Sequence, residues 1–246
     1  CKRSPAAKGV VGTLFETPPP GMRPVKDLAG RVRGTPALLM VDAISGLGCD
    51  PLKMDEWGVD VVVCGSQKGL MLPPGLAFVA LNERATAAVS QSKLPKYYFN
   101  FADTLKAIKK NDTPFTPAVS LIQGLDEALI MLLEEGIEKV WARHAQVADY
   151  VRSKISALGL PLFAQAPSNG LTAIVLPKEI ASSSVIKIMR DEHHVVMADG
   201  QGELQGKIVR FAHMGAACTL KDAERGYTAF LDAMTKNGFK PHLVNA

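Results

Sequence analysis

The sequence predicts an α/β protein with an open sheet, and three observations lead there. Two short apolar runs, Ala37-Leu-Leu-Met-Val41 and Val59-Asp-Val-Val-Val-Cys64, have the length and density of strands covered on both faces. Each is stopped at once, the first by Asp42 and the second by Gly65. Downstream, residues 119–158 carry apolar side chains at helical spacing, the layer such strands need to cover them.

Composition bounds the rest. A chain of 246 residues that is 47% hydrophobic can bury a sizeable core in one or two domains. The net charge of +4 is mild, and no long basic run is interleaved with aromatics, which excludes an evident nucleic-acid surface. The longest apolar runs fall far short of a membrane span. Cys1, Cys49, Cys64 and Cys218 form no CxxC pair, so reduced thiols in the cytoplasm are expected.

Taken in order, Gly9–Phe15 reads as a strand, and Glu16–Gly21 as a turn, because Pro18, Pro19 and Pro20 cannot continue a ladder. A short helix over Val25–Arg33 leads into the strand that ends at Asp42. The Val59–Cys64 strand then gives way to Gly65, the polar Ser66-Gln67-Lys68, and a permissive Gly69. Asp42 and Lys68 thus fall at or just past the carboxyl ends of two apolar strands, the edge where open α/β sheets bind ligands. Taken singly, Lys68 reads as a surface lysine opening a loop and Asp42 as a turn cap. Together they are the pair pyridoxal phosphate requires: a lysine to hold the aldehyde and an aspartate to keep the pyridine nitrogen protonated.

Gly75–Leu81 is a further strand, entered through Pro73 and Pro74. The aromatics Tyr97, Tyr98, Phe99 and Phe101 suit a satellite cluster, a cleft or a dimer surface. Helices are predicted over Val119–Gly136 and over Ile137–Leu158, the second ended by Gly159 at its C′ position. Thr116 and Pro117 read as N-cap and first residue of the earlier helix. His144 lies on the apolar face of the later one as an interfacial histidine. The remainder alternates: strand Leu171–Leu176, helix Ser184–Asp191, strand Lys207–Gly215, then a helix capped by Thr219 and ended by Gly238. His193 and His194 have no third ligand near in sequence, so no metal is expected. Arg210 stands among apolar residues, where an unpaired guanidinium is costly.

Three segments carry a more specific signal: Leu38-Leu-Met-Val-Asp-Ala-Ile-Ser-Gly-Leu-Gly48, Asp55-Glu-Trp-Gly-Val-Asp60 and Gly65-Ser-Gln-Lys-Gly-Leu-Met-Leu-Pro-Pro-Gly75. In order and spacing they resemble the class V pyridoxal-phosphate aminotransferases, on the alanine–glyoxylate and serine–pyruvate branch, and the resemblance runs through nearly the whole chain. It implies the pyridoxal-phosphate fold of the aspartate-aminotransferase type (fold type I). A partial three-layer α/β/α cofactor domain would take residues 1–135, and a small α/β domain residues 136–246. It implies transfer of an amino group from alanine or serine to glyoxylate or pyruvate, in a homodimer with shared sites. Lys68 matches the Schiff-base lysine, Asp42 the partner of the pyridine nitrogen, and Ile44 an aliphatic residue under the ring. Gln67 matches a phosphate ligand, Thr17 a hydroxyl near the ring oxygen, and Thr116 a phosphate ligand contributed to the neighbouring subunit. Arg210 matches the arginine that grips the substrate α-carboxylate, as its planar fork suits. Family members carry a long segment ahead of Cys1, so the chain is expected to be the C-terminal part of such an enzyme.

Two alternatives stay open. A lyase or desulfurase of the same fold places a histidine before the lysine; Gln67 cannot titrate and argues for transamination. A catalytically incompetent fragment acting as a dimerising module is the other. An ATP loop and a dinucleotide fold are rejected, for neither glycine pattern is present.

Overall fold

The computed structural model describes residues 7–14 and 25–241, which divide into two compact units. The first unit comprises residues 7–14, 25–45 and 52–131. Its elements are β1 (Gly9–Thr13), α1 (Val25–Val32), β2 (Leu38–Asp42), α2 (Met54–Trp57), β3 (Val61–Gly65), β4 (Ala77–Leu81), α3 (Glu83–Gln91) and α4 (Phe101–Ile108), followed by most of α5 (Val119–Glu135). The sheet order is β1-β2-β3-β4; β1, β2 and β3 run parallel, and β4 pairs antiparallel with β3.

The register explains the burial. Val41 pairs with Gly12 on one side and Val62 on the other. On that face Leu39, Val41, Val62 and Cys64 are all buried. Helix α1 covers it through Val25, Ala29 and Val32, and so closely that a Cβ at Gly12 would stand 2.7 Å from Leu28 Cδ2. The opposite face, carrying Met40, Asp42, Val61 and Val63, is only half-buried. This corrects the expectation of strands covered on both sides: α1 packs on one face alone.

Asp60, just ahead of β3, is 1% exposed. Its carboxylate accepts from Leu39 N (2.7 Å) and Asn82 Nδ2 (2.8 Å), with Arg84 Nε at 3.6 Å. Asn82 in turn caps α3 by accepting from Ala85 N. One buried carboxylate therefore ties β2, β3 and α3 together, with its charge compensated as burial requires.

The second unit comprises residues 46–51 and 132–241. It contains α6 (Ile137–Ala157), β5 (Leu171–Val175), α7 (Ser182–His193), the two-residue β6 (Ala198–Asp199), β7 (Ile208–Ala212) and α8 (Leu220–Lys236). The sheet order is β5-β7-β6, antiparallel throughout. Val151 and Ile155 of α6, Ile174, Val185, Met189, Val209, Phe230 and Met234 form one contiguous core. Gly226 lets α8 approach β7, for a Cβ there would lie 2.5 Å from Phe211 Cζ. The helix ends follow the sequence signals: Thr219 caps α8, and Gly159 and Gly238 adopt φ of 75° and 86° beyond α6 and α8. Helix α5 starts only at Val119, so Thr116 is not its N-cap. Among the described residues no helix is long and apolar enough to cross a membrane.

Candidate active site

Asp42 is the last residue of β2 and pairs with Val63 of the parallel neighbour β3. Lys68 lies in the turn that follows β3. The two therefore close the carboxyl ends of adjacent strands. The Asp42 carboxylate is half-buried, and Oδ1 accepts from Ile44 N at 2.9 Å. The turn-cap reading of Asp42 is thus realised, with one oxygen. Among the described residues no hydrogen bond is recorded for Oδ2 or for Lys68 Nζ. Burial pushes the Cys64 thiol up, the Gly65 backbone lowers it, and the Asp42 charge adds to the rise.

The turn carrying Lys68 is held from beneath by Ser66, which is fully buried. Its amide donates to Leu76 O (3.1 Å), its carbonyl accepts from Leu72 N (3.1 Å), and its hydroxyl donates to Pro73 O (2.7 Å) while accepting from Leu76 N (3.2 Å). Every polar atom of Ser66 is engaged, and both ends of the 66–76 loop are stapled. Met71 N donates to Lys68 O at 2.9 Å, with Met71 at φ 66°, a left-handed conformation unusual for a non-glycine residue. Leu70 and Leu72 bury their side chains on either side of it. Gln67 is exposed and folds back over Gly65, where a Cβ would meet Gln67 Oε1 at 2.6 Å. Helix α5 packs against the same loop: a Cβ at Gly75 would lie 2.5 Å from Leu121 Cδ1, and one at Gly124 3.4 Å from Leu72 Cδ2.

Asp42, Ile44, Gln67 and Lys68 are therefore gathered at one sheet edge. Thr116 is exposed in the segment ahead of α5. Its neighbour Phe115 stacks with Tyr98 (4.7 Å between centroids) and meets Tyr97 edge-on (5.7 Å). Thr17 lies outside the described residues.

Arg210 belongs to the second unit, in β7, and is half-buried. Its Nε donates to the Asp199 carbonyl at 2.6 Å. The Asp199 carboxylate, through Oδ1, accepts from Ser182 Oγ (2.8 Å), Gly200 N (2.7 Å) and Gly206 N (3.1 Å). Burial opposes the charge on Asp199, but these three bonds and the Arg210 charge hold its carboxyl below the usual range. His213, three residues on, is 1% exposed. Nδ1–H donates to Asn169 O (3.0 Å), and Nε2 accepts from the Thr172 hydroxyl (2.9 Å). Burial, reinforced by the Arg152 charge, lowers its pKa to about 4. The loop beyond β7 is fixed by α6, whose Arg143 donates to Cys218 O (3.0 Å) and whose His144 accepts from Gly215 N (3.2 Å). His144 is the doubly bonded interfacial residue that its place on α6 predicts.

Sequence reasoning passed over Ser66, Asp60 and Asp199. Ser66 carried a usable signal, a hydroxyl placed directly after a buried strand. Asp60 carried one too, a carboxylate inside an otherwise apolar run. Nothing local marked Asp199.

This architecture is that of the pyridoxal-phosphate-dependent aminotransferases of fold type I, as the sequence predicts. The profile of the aminotransferase class-V family matches residues 20–218, and the chain belongs to that family. It is 40% identical over 184 residues to L-aspartate–glyoxylate aminotransferase of Paracoccus denitrificans, covering 74% of this chain and 46% of that protein. It is 39% identical over 190 residues to serine–glyoxylate aminotransferase of Methylorubrum extorquens, covering 74% and 47%. The crystal structure of pyridoxamine–pyruvate aminotransferase from Mesorhizobium loti superposes with a TM-score of 0.90 at 33% identity, covering 97% of this chain and 62% of that one. The chain thus spans about half the length of these two relatives.

Proposed function

We propose that the chain carries the lysine side of a transaminase site, which moves an amino group from a small amino acid, alanine or serine, to glyoxylate or pyruvate with pyridoxal 5'-phosphate as cofactor. One observation carries the reading: Asp42 and Lys68 terminate neighbouring parallel strands, each with a polar atom not otherwise engaged among the described residues. A half-buried lysine on a stapled turn, and a carboxylate at the end of the neighbouring strand, suit the aldehyde and the ring nitrogen of this cofactor.

When bound, pyridoxal phosphate supplies a carbonyl that amines can capture and a ring that takes up an electron pair. Lys68 would hold the aldehyde carbon and would serve as general base and acid for the proton at the substrate Cα. Asp42, with Oδ2 available, would hold a proton on the pyridine nitrogen. Ile44 would lie against the ring and Gln67 would donate to the phosphate. Thr17 would serve near the ring oxygen. Arg210 grips the donor's α-carboxylate through charge-assisted bonds. Residues 1–135 serve as cofactor domain and 136–246 as small domain.

A second copy of the chain would supply Thr116 to the neighbouring phosphate. Tyr97, edge-on to Phe115, and Phe99, edge-on to Tyr98, are each more than four-fifths exposed and give the first unit an apolar surface of the kind such an interface uses. The buried thiols of Cys64 and Cys218 suit the reducing cytoplasm. Gln67 favours transamination over lyase or desulfurase chemistry, because an amide cannot abstract a proton.

The test is pyridoxal phosphate added to the protein and to Lys68→Ala, followed by absorbance, borohydride reduction and peptide mass mapping. A reduced adduct on Lys68, absent from the variant, is expected. An adduct that persists in Lys68→Ala refutes the assignment, and none in either protein favours the dimerising module.

A further inference from the structure

Resting on the reading of Arg210 as the carboxylate-binding residue, we infer that Asp199, held by Ser182, is a positioning residue that restricts Arg210 to end-on recognition of a carboxylate. A guanidinium can offer a carboxylate either of two edges, the Nε and one terminal nitrogen, or the two terminal nitrogens. In β7 the first edge is taken. Arg210 Nε donates to the Asp199 carbonyl on the neighbouring strand at 2.6 Å, while no bond is recorded for Nη1 or Nη2 among the described residues. Only the Nη1/Nη2 edge remains open to a ligand.

The carbonyl that sets this orientation belongs to a strand of two residues, β6, which alone could not hold it firmly. The Asp199 side chain supplies the missing rigidity. Its Oδ1 collects the Gly200 amide, the Gly206 amide across the turn, and the hydroxyl of Ser182, which is fully buried at the start of α7. The turn is also closed sterically, since a Cβ at Gly200 would strike the Leu204 carbonyl. One carboxylate thereby fixes its own carbonyl, and that carbonyl fixes the arginine. The device favours a ligand whose carboxylate arrives along the long axis of the Arg210 side chain, and it discriminates against one approaching from the Nε side.

The test is read on the Arg210 Nε–Hε NMR signal of the whole protein, assigned by its loss in Arg210→Lys. In the ligand-free protein Hε should exchange with water on the order of tenfold more slowly than that of the exposed Arg225, as a hydrogen-bonded proton does. Asp199→Ala and Ser182→Ala should speed it, and Asp199→Asn, which keeps an acceptor at the Oδ1 position, should restore the slow rate. An Arg210 Hε that exchanges as fast as Arg225, or one indifferent to Asp199→Ala, overturns the positioning role. Added sodium pyruvate should perturb the Nη signals and leave Nε–Hε in place. Loss of the protected Hε on pyruvate binding would overturn end-on recognition. No response to pyruvate at all would sink the carboxylate role of Arg210, and with it the end-on claim. The ligand-free exchange rates decide the positioning claim independently.

Discussion

Acidification should destabilise the second unit through His213, and the size of the effect follows from its surroundings. The imidazole is buried, donates at Nδ1 to a carbonyl and accepts at Nε2 from the Thr172 hydroxyl. Burial penalises the imidazolium, and the Arg152 charge adds to that penalty, so the folded-state pKa falls to about 4. The unfolded value is about 6.5. Below the unfolded pKa the unfolded chain binds a proton that the folded chain refuses, so stability falls as pH drops. The contribution is present above about pH 6.5, shrinks by about 2 kcal/mol by pH 5, and levels off below about pH 4 at a loss on the order of 3 kcal/mol. His144, whose pKa burial also lowers, adds a loss of the same sign. The assay is urea unfolding at pH 7 and pH 5, read from Trp141 of α6 in a Trp57→Phe background. His213→Gln removes the titrating group, and whatever it costs at pH 7, its loss between pH 7 and 5 should be about 2 kcal/mol smaller than that of the parent. Parallel pH dependences in the two proteins would refute the reasoning.

Three further outcomes follow from single contacts. Ser66→Ala deletes a hydroxyl that both donates to Pro73 O and accepts from Leu76 N, so it should cost about 2–3 kcal/mol and speed exchange of the Leu76 amide; an unchanged urea midpoint would show that the staple is dispensable. Asp60→Asn turns an acceptor into a partial donor facing the Leu39 and Asn82 N–H groups and should lower stability by about 2–3 kcal/mol, measured in the same way. Gly226→Ala sets a helix-propensity gain of about 1 kcal/mol against a Cβ at 2.5 Å from the buried ring of Phe211. Overpacking typically costs about 1–3 kcal/mol, so a lower Tm is expected, and a higher one would mean that the ring can move aside.

Much of the architecture was legible in the chain itself, because it is written in short-range patterns. Dense apolar runs marked β2 and β3, and helical spacing marked α5, α6 and α8. Thr219, Gly159 and Gly238 marked helix ends, since caps depend on residues a few positions away. The juxtaposition of Asp42 and Lys68 was also legible, for a parallel pair brings both carboxyl ends to one edge. Tertiary structure alone decided the rest. That β4 runs antiparallel, that β6 exists at two residues, and that α1 covers only one face of the sheet are outcomes of long-range pairing, which no local period encodes. The same holds for the groups that hold the candidate site residues still. Ser66 meets partners up to ten residues away, and Asp199 meets Ser182 and Arg210 from other elements. Residue types told where a lysine, a carboxylate and an arginine would stand. Only the folded backbone could tell which carbonyls and amides were left over to hold them in place.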